Sequence, residues 1–324
     1  MCTAMSFNNF GHYFGRNLDL EHRYDENIVI TPRNYIFKYK SGEIDRKHYA
    51  IIGTATVIDG YPLYYDATNE HGLSIAGLNF VGNAYLNKKE EIGKINLAPY
   101  ELIPYILGKC KSVYECIKLL KIIVLVDIRF ADGLPNSELH WLISDKHNCI
   151  TFEYMVSGVK IYDNAMGILT NNPPFDYHLM NLNNYMQLSD SEPHNNLSDK
   201  LSLNAYSRGM GAIGLPGDNS STSRFIRCCF NKLNSVHCNS EIEAITQFFH
   251  ILSSVEQVEG SVKIDSKYER TQYSSCCDID KGIYYYKTYE NNQINAVSMH
   301  NENIETDDII RYPMILQQNI YNIN

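Results

Sequence analysis

Residues 1–6 of the chain read MCTAMS and place a cysteine directly behind the initiator methionine. Removal of this methionine is favoured when the second residue is small, and cysteine qualifies. Cys2 would then carry a thiol and a free α-amino group, whose ordinary pKa of roughly 7.7–8.0 lies near working pH. Such an amine can take the proton of the thiol, so the pattern predicts a nucleophile with its own base. An incidental cysteine is the alternative that the downstream residues must decide.

The composition is typical of a globular protein and argues against several classes of partner. The chain has 324 residues, 44% of them hydrophobic, and a net charge of −9. No block of Lys and Arg is present to neutralise phosphates or an acidic lipid surface, so nucleic-acid and membrane-surface binding are not expected. The longest strongly apolar run, Ile122 to Val126, is too short to span a bilayer, so no membrane insertion is expected.

The nine cysteines are interpreted as reduced thiols of a cytoplasmic protein. Their number is odd, and the first residues show no pattern of an export signal. The adjacent pairs Cys228-Cys229 and Cys276-Cys277 lack the C-x-x-C spacing, so no zinc site is expected. A redox role for these pairs is a weaker alternative, because nothing in the sequence around them lowers a thiol pKa.

The predicted elements run strands, helices, strands, helices, strands, which indicates an α+β fold. Thr3 to Phe7 and Leu73 to Phe80 are typical strands, whereas Ser112 and Ser240 each open a helix with a Glu three residues later. Most strand links resemble hairpins, so we expect antiparallel sheets with helices packed outside them. No linker or repeat divides the chain, and residues 1–324 are predicted to form one domain.

Three polar residues are candidates to complete a site around Cys2. Arg16 and Asp19 follow the first hairpin, where the Asp could hold an ammonium and the Arg could favour a thiolate. A surface ion pair is the alternative. Asn171 precedes a proline-rich loop. An amide at such a place can point into a site, although it more often stabilises a turn.

Six blocks of sequence together resemble the choloylglycine hydrolase family, the bile salt hydrolases of gut bacteria. In chain order they are MCTAMSF (1–7), YFGRNLD (13–19), NEHGLSIAGLNF (69–80), LTNNPPFDY (169–177), GLPGD with SRF (214–225) and QYSSC with KGIYYYKTYENNQINAV (272–297). The match runs from end to end. It implies the fold of N-terminal nucleophile (Ntn) hydrolases, a four-layer αββα sandwich of two antiparallel sheets between two helical layers.

The resemblance also implies a role for each candidate. Cys2 would be the nucleophile after removal of Met1, and its amine the base. Arg16 and Asp19 match the family's residues beside the nucleophile. The positions that stabilise the oxyanion in the family match Asn79 and Asn171, and its second active-site arginine matches Arg224. The implied reaction is hydrolysis of the amide bond of glycine- and taurine-conjugated bile acids through a thioester, without a metal or organic cofactor.

A steroid is a flat apolar body, so its pocket should be largely apolar. The resemblance places the pocket walls at Leu18, Ile58, Tyr65, Phe130 and Leu134. Plain core or loop packing is the alternative for each. The cation available to the sulfonate or carboxylate tail of the conjugate is Arg208 in the YSRGM stretch, for which a solvated loop charge is the alternative.

Two rival functions and one assembly state follow from the same resemblance. Penicillin V acylase belongs to the same family, and Asn79 favours bile salts over it because those acylases tend to have Tyr there. A non-catalytic binding protein with the same fold is less favoured, since all six site residue types are present. Residues 186–222 are polar and then Gly-rich, resemble the family's assembly loop and predict a homotetramer.

Overall fold

Two large antiparallel sheets form the centre of the structure, a computed structural model that describes residues 1–324. The strands in chain order are β1 (Cys2–Asn9), β2 (Gly11–Leu20), β3 (Asn27–Thr31), β4 (Phe37–Lys38), β5 (Ile44–Asp45), β6 (Ile51–Ile58), β7 (Tyr61–Asn69), β8 (Ser74–Asn79), β9 (Ile95–Leu97), β10 (Ile123–Leu125), β11 (Leu139–Ser144), β12 (Cys149–Met155), β13 (Gly158–Asp163), β14 (Ile168–Leu169), β15 (Val262–Ile264), β16 (Lys267–Asp278), β17 (Ile283–Thr288), β18 (Asn295–Ser298) and β19 (Ile310–Pro313). The helices are α1 (Leu102–Lys109), α2 (Val113–Leu120), α3 (Phe175–Leu182), α4 (Ser221–Leu233) and α5 (Glu241–Ser253).

The first sheet has the strand order β14-β1-β2-β16-β17-β18, and the second has the order β13-β12-β11-β8-β7-β6-β3-β19. β15 adds to β16, and two small two-stranded sheets join β4 with β5 and β9 with β10. α4 and α5 pack on the first sheet, α1 packs on the second, and β1 and β2 contact β8 across the space between the sheets. The predicted α+β class and the four-layer arrangement are therefore confirmed.

Alternating side chains explain why the sheets stack in this way. In the second sheet, Ile28, Ile30 and Leu142 belong to the core cluster shared with the first sheet. Their chain neighbours Val29 and Ile143 belong to a separate cluster that includes α1 and α2. Successive residues of a strand point to opposite faces, so β3 and β11 each supply both cores.

The first hairpin is longer than the sequence indicates. β1 and β2 pair from Cys2–Leu18 to Asn9–Gly11, and Phe10 occupies the tip with a φ of 62°. Arg16 and Asp19 consequently lie inside β2 rather than in a segment that follows the hairpin. This places both residues in the centre of the first sheet, next to the start of β1.

Serine hydroxyls cap the first turns of α2, α4 and α5. The Ser112 and Ser240 hydroxyls accept from the amides of Glu115 and Glu243, as the sequence predicts. Such caps satisfy amides that have no partner inside the helix. Residues 186–220 contain only one short 3₁₀ turn, Met210–Ala212. No helix combines the length and the apolar character that crossing a lipid bilayer requires.

Candidate active site

Cys2 occupies the first position of β1, between β2 and β14. Directly opposite residues of an antiparallel pair share a face, and Cys2 stands opposite Leu18 while Ala4 stands opposite Arg16. The Ser6 hydroxyl, two residues further along this face, lies 2.9 Å from the hydroxyl of Ser144 in the second sheet. The Cys2 side chain therefore points between the two sheets, on the same face as Arg16.

Asn171 joins β1 to the helical layer through its side chain. Ala4 pairs with Leu169, and continuing that register by two residues brings Asn171 opposite Cys2. The Cys2 amide donates to Asn171 Oδ1 over 2.7 Å, and Asn171 Nδ2 donates to the Asn79 carbonyl over 2.8 Å. Oδ1 receives two donors, which fixes the orientation of the amide group. One hydrogen of Nδ2 remains available on the site.

Arg224 reaches the same atoms from α4. Its guanidinium donates to Asn171 Oδ1 over 2.8 Å, to Thr3 Oγ1 over 2.7 Å and to the Cys2 carbonyl. The side chain is fully buried, and this burial lowers the pKa of Arg224 against the opposing effect of Asp19 and Cys2. Arg224 thus ties the first residues of β1 to the Asn171 amide and brings a positive charge to the helical side of the site.

Arg16 in β2 brings a second positive charge. Its side chain lies on the same face of the sheet as the Cys2 thiol. Its Nη1 donates to the carbonyls of Tyr65 over 3.0 Å and of Gly77 over 2.5 Å. Burial alone would lower the pKa of Arg16, but the Cys2 sulfur and Asp66 as anions raise it above its ordinary value. The guanidinium therefore remains charged in the core, on the side of the sheet that the Cys2 side chain faces.

Two buried carboxyl groups surround the chain terminus. The Met1 ammonium donates to the Asp19 carbonyl over 2.9 Å and to Glu269 Oε1 over 2.6 Å. The Thr271 hydroxyl donates to Asp19 Oδ1 over 2.6 Å. Burial raises the pKa of Asp19, against the effect of the N-terminal ammonium and Arg224, and burial also raises the pKa of Glu269. The N-terminal ammonium therefore lies beside Asp19 and Glu269, and the charges of Arg224 and Arg16 also act on the Asp19 carboxyl group.

The structure brings together all six predicted site residues and adds two that the sequence did not indicate. Asn79, at the end of β8, takes part through its carbonyl, and its side chain is half-buried. The sequence does not indicate Glu269 and Thr271, because they lie more than 260 positions from Cys2 along the chain. No local pattern distinguishes them from other residues of β16.

The five predicted wall residues and Arg208 divide into residues that are buried or half-buried and residues that lie on the surface. Leu18 is buried opposite Cys2, and Tyr65 is half-buried with its carbonyl on Arg16. Ile58 pairs with Tyr61, whose ring lies 5.6 Å from that of Phe130, centroid to centroid. The other two residues lie on the surface: Leu134 is 39% exposed, and Arg208 is exposed and makes no hydrogen bond or ion pair. No contact in the structure links Arg208 to Cys2.

The family model described as linear amide C–N hydrolases, choloylglycine hydrolase family, matches residues 2–312. The chain belongs to the choloylglycine hydrolase family. Members of this family hydrolyse linear amide C–N bonds, so the predictions of the family and of an amide hydrolase are confirmed. The chemistry fits a buried cysteine beside two arginines and an asparagine amide.

Full-length relatives support this membership. The chain is 52% identical over 325 residues to a bile salt hydrolase/transferase of Lactiplantibacillus plantarum, with 100% of both chains covered. It is 39% identical to the bile salt hydrolase/transferase of Clostridium perfringens, also with 100% of both chains covered. A crystal structure of a mutant conjugated bile acid hydrolase from Clostridium perfringens superposes with a TM-score of 0.93 at 39% identity and covers 100% of both chains.

One further solved structure is similar in fold. Penicillin V acylase from Agrobacterium tumefaciens superposes with a TM-score of 0.76 at 19% identity, covering 96% of this chain and 90% of that chain. Both structures therefore have the same layered architecture, and at this identity the likeness extends to the fold alone.

Proposed function

We propose that this protein hydrolyses the amide bond of glycine- and taurine-conjugated bile acids, with Cys2 as the nucleophile after removal of Met1. The observation that carries the proposal is the hydrogen bond from the Cys2 amide to Asn171 Oδ1, in a chain that matches bile salt hydrolases over its full length. That bond puts the group that becomes the catalytic amine next to the amide proposed to bind the oxyanion.

In the proposed reaction, the Cys2 thiolate attacks the amide carbon and the carbonyl oxygen becomes an oxyanion. The free hydrogen of Asn171 Nδ2 and a backbone N–H near Asn79 stabilise this oxyanion. The α-ammonium then donates a proton to the leaving nitrogen, and the C–N bond breaks to release glycine or taurine. Water loses a proton to the same amine and attacks the thioester, which frees the bile acid and regenerates the thiol.

The charged residues have separate tasks in this proposal. Arg16 shares the Cys2 face of the sheet and stabilises the thiolate. Arg224 fixes the Asn171 amide through Oδ1 and also adds a positive charge beside the thiol. Asp19 faces the terminal ammonium from β2 and orients the amine. Removal of Met1 is required because a peptide nitrogen cannot act as the base.

The substrate is proposed to lie between Leu18 and Tyr65 at the buried end and Ile58, Phe130 and Leu134 at the exposed end. These side chains offer apolar surface of the kind a steroid needs. Arg208 is the proposed contact for the sulfonate or carboxylate tail, because it is an exposed cation without an ion-pair partner.

Assembly is proposed to use the long loop. Within residues 186–222, large apolar side chains are exposed to a degree that is unusual for a free surface: Met186, Leu197, Leu201, Leu203, Tyr206 and Ile213. A homotetramer that buries this loop would cover them. We further propose that the mature enzyme is a single-domain protein that works in the cytoplasm.

The thioester gives a second candidate reaction, in which an amine replaces water as the acceptor of the bile acyl group. The relatives from Lactiplantibacillus plantarum and Clostridium perfringens are named bile salt hydrolase/transferases, which favours this possibility. Penicillin V acylase activity is the alternative substrate class, supported by a shared fold only. A non-catalytic binding protein is disfavoured, because the family is one of amide hydrolases.

The experiment is the hydrolysis of taurocholate, glycocholate and penicillin V by the native protein, by Cys2→Ala and by Cys228→Ala. Cys228 is a matched control, since it is also a buried free cysteine. We expect bile-salt cleavage that disappears only in Cys2→Ala. Preferential cleavage of penicillin V would overturn the substrate class, and full activity of Cys2→Ala would overturn the nucleophile.

A further inference from the structure

Two buried histidines contact the backbone that carries the Asn171 side chain. His140 in β11 has its Nε2 2.9 Å from the carbonyl oxygen of Thr170, and His178 in α3 has its Nε2 3.0 Å from the carbonyl oxygen of Asn171. Both rings are fully buried. A carbonyl oxygen only accepts, so in each ring Nε2 carries the hydrogen and donates it.

These contacts matter because the backbone of Thr170 and Asn171 is not paired with a neighbouring strand. β14 ends at Leu169, so Thr170 and Asn171 lie beyond its paired residues. Besides the two histidines, the Ser221 hydroxyl contacts this segment by accepting from the Asn171 amide over 2.8 Å. The position of the Asn171 side chain therefore depends on side chains packed against its backbone.

His140 is itself held by its surroundings. Its Nδ1 lies 3.2 Å from Glu153 Oε1, which also accepts from the amide of Phe175 at the start of α3 over 2.9 Å. The imidazole stacks on Phe80 with a centroid distance of 4.2 Å. Glu153 in β12 thus links His140 in β11 to the first residue of α3. In the sequence, β11 precedes and α3 follows the segment that contains Asn171.

His178 commits its only N–H to Asn171. Burial lowers the pKa of His178 to about 4, so the ring is neutral at neutral pH. Its Nδ1 is buried and has no hydrogen-bond partner, while the ring packs 4.8 Å from the Phe225 ring between centroids. A neutral ring with its hydrogen on Nε2 satisfies the Asn171 carbonyl and leaves Nδ1 unused.

We propose that His140 and His178 are positioning residues, which act through the Thr170 and Asn171 carbonyls to hold the Asn171 amide where the oxyanion forms. This inference rests on the oxyanion role proposed for Asn171. A displacement of about 1 Å at a reacting group can cost on the order of a hundredfold in rate. Neither histidine makes a hydrogen bond to Cys2, and their hydrogen bonds to this segment end on the Thr170 and Asn171 carbonyls, so we expect their main effect on catalysis to pass through Asn171.

The test is a double-mutant cycle on taurocholate hydrolysis, with kcat and KM measured for His178→Leu, Asn171→Ala and the double variant. We expect His178→Leu to lower kcat by roughly tenfold with KM nearly unchanged. In the Asn171→Ala background, the same change should cost less than about twofold, because the group it positions is gone. His178→Gln keeps an N–H donor and should recover most of kcat.

His48→Leu is the matched control. His48 is also buried and also contacts two backbone carbonyls, those of Tyr49 over 2.7 Å and Tyr35 over 3.0 Å, away from Cys2. Its effect on kcat should be small and equal in both backgrounds. Circular dichroism and thermal melting identify variants that fail to fold, and His178→Met, which has no donor at a similar volume, replaces His178→Leu in that case.

The outcomes separate this inference from the proposed function. An equal loss of kcat for the His178 variant in both backgrounds, or an unchanged kcat in a folded variant, would show a merely structural histidine and overturn the inference. Native hydrolysis of taurocholate with an inactive Cys2→Ala would leave the proposed function standing in either case. A native protein that does not cleave bile salts would overturn both.

Discussion

The side of the site that carries the proposed catalytic residues and the side proposed to bind the substrate are built differently. On the catalytic side, Cys2, Arg16, Asp19, Asn171 and Arg224 are all buried, with at most 6% of any residue exposed, and each is tied by hydrogen bonds to its neighbours. On the substrate side, the predicted contacts at the surface lack this support. Their exposed members are Leu134 and Arg208, and Phe130 is half-buried.

The difference follows from what each side has to do. Covalent attack needs reacting groups held within a fraction of an ångström, which buried and mutually bonded side chains provide. A steroid face needs apolar area, which loop residues can supply without fixed geometry. Substitutions on the catalytic side should therefore lower kcat, whereas substitutions on the substrate side should change KM or substrate preference.

The largest effect is expected at Asn171. Asn171→Ala removes a donor to the oxyanion and should lower kcat by about 10²–10³-fold. Asn17→Ala is the matched control, because Asn17 is also a buried asparagine near Cys2, but its Nδ2 donates to Leu252 in α5. Steady-state kinetics and urea unfolding of both variants measure the contrast.

For Asn17→Ala we expect a loss of about 0.5–1.5 kcal/mol in the free energy of unfolding, from the lost hydrogen bond to the Leu252 carbonyl, which keeps the Val255 amide as a donor, and a kcat within about twofold of the native value. Equal kcat for the two variants would mean that burial, rather than position relative to Cys2, decides the effect, and the comparison would fail.

A second prediction concerns the buried carboxyl group of Asp66. Asp66 lies between the sheets, near Arg16, and accepts from the hydroxyls of Tyr273, Tyr284 and Ser275. Burial raises the pKa of Asp66, and Arg16 and the hydroxyl donors oppose the shift only in part. Its proton is therefore harder to remove in the folded protein than in the unfolded chain.

The sign of the pH effect follows. Below the unfolded pKa of about 3.9 the carboxyl group is protonated in both states. Between the unfolded and the folded pKa the unfolded chain has lost the proton that the folded protein keeps, so rising pH favours unfolding until the folded carboxyl group also ionises. The stability of the native protein minus that of Asp66→Asn should fall with rising pH, by about 1.4 kcal/mol for each unit of pKa difference. Urea unfolding at a series of pH values measures it, and a difference that rises with pH would contradict the assignment.

On the substrate side, Leu134→Ala should raise KM for taurocholate by about threefold and leave kcat unchanged, because it removes part of a half-exposed apolar contact. Leu316→Ala, at a leucine that is similarly exposed but lies outside the long loop, is the control and should change neither constant. A fall in kcat for Leu134→Ala would place this residue on the catalytic side.

The smallest effect is expected at Arg208. An exposed charge contributes little in water, so Arg208→Ala should lower the ratio of taurocholate to glycocholate cleavage by about twofold. Competition between the two substrates in one reaction measures this ratio directly. An unchanged ratio would remove Arg208 from the substrate side.

The sequence predicts the reacting residues better than it predicts the groups that support them. Cys2, Arg16 and Asn171 lie in distinctive blocks and are found together in the structure. Thr271 and His178 have no local sequence pattern that would indicate their contacts. β16 changes register against β2 between Thr271 and Tyr273, and Thr271 contacts Asp19 beside this irregularity, which a period-two pattern does not encode.

The fold shows the same division. Alternation and helix caps predict antiparallel sheets and outer helices, because both are local properties of a strand or a helix. Stacking of the two sheets depends on long-range contacts such as that of β1 with β8, and only the resemblance to a family predicts it. Contacts between distant segments are likewise what bring Glu269 to the chain terminus.

The most direct test of the central claim is acid quenching of the enzyme during turnover of taurocholate, followed by mass spectrometry of its N-terminal peptide. The account predicts that this peptide begins at Cys2, without Met1, and carries the mass of a cholyl group bound as a thioester to its sulfur. A cholyl group on any other residue, or full activity of protein that retains Met1, would contradict it.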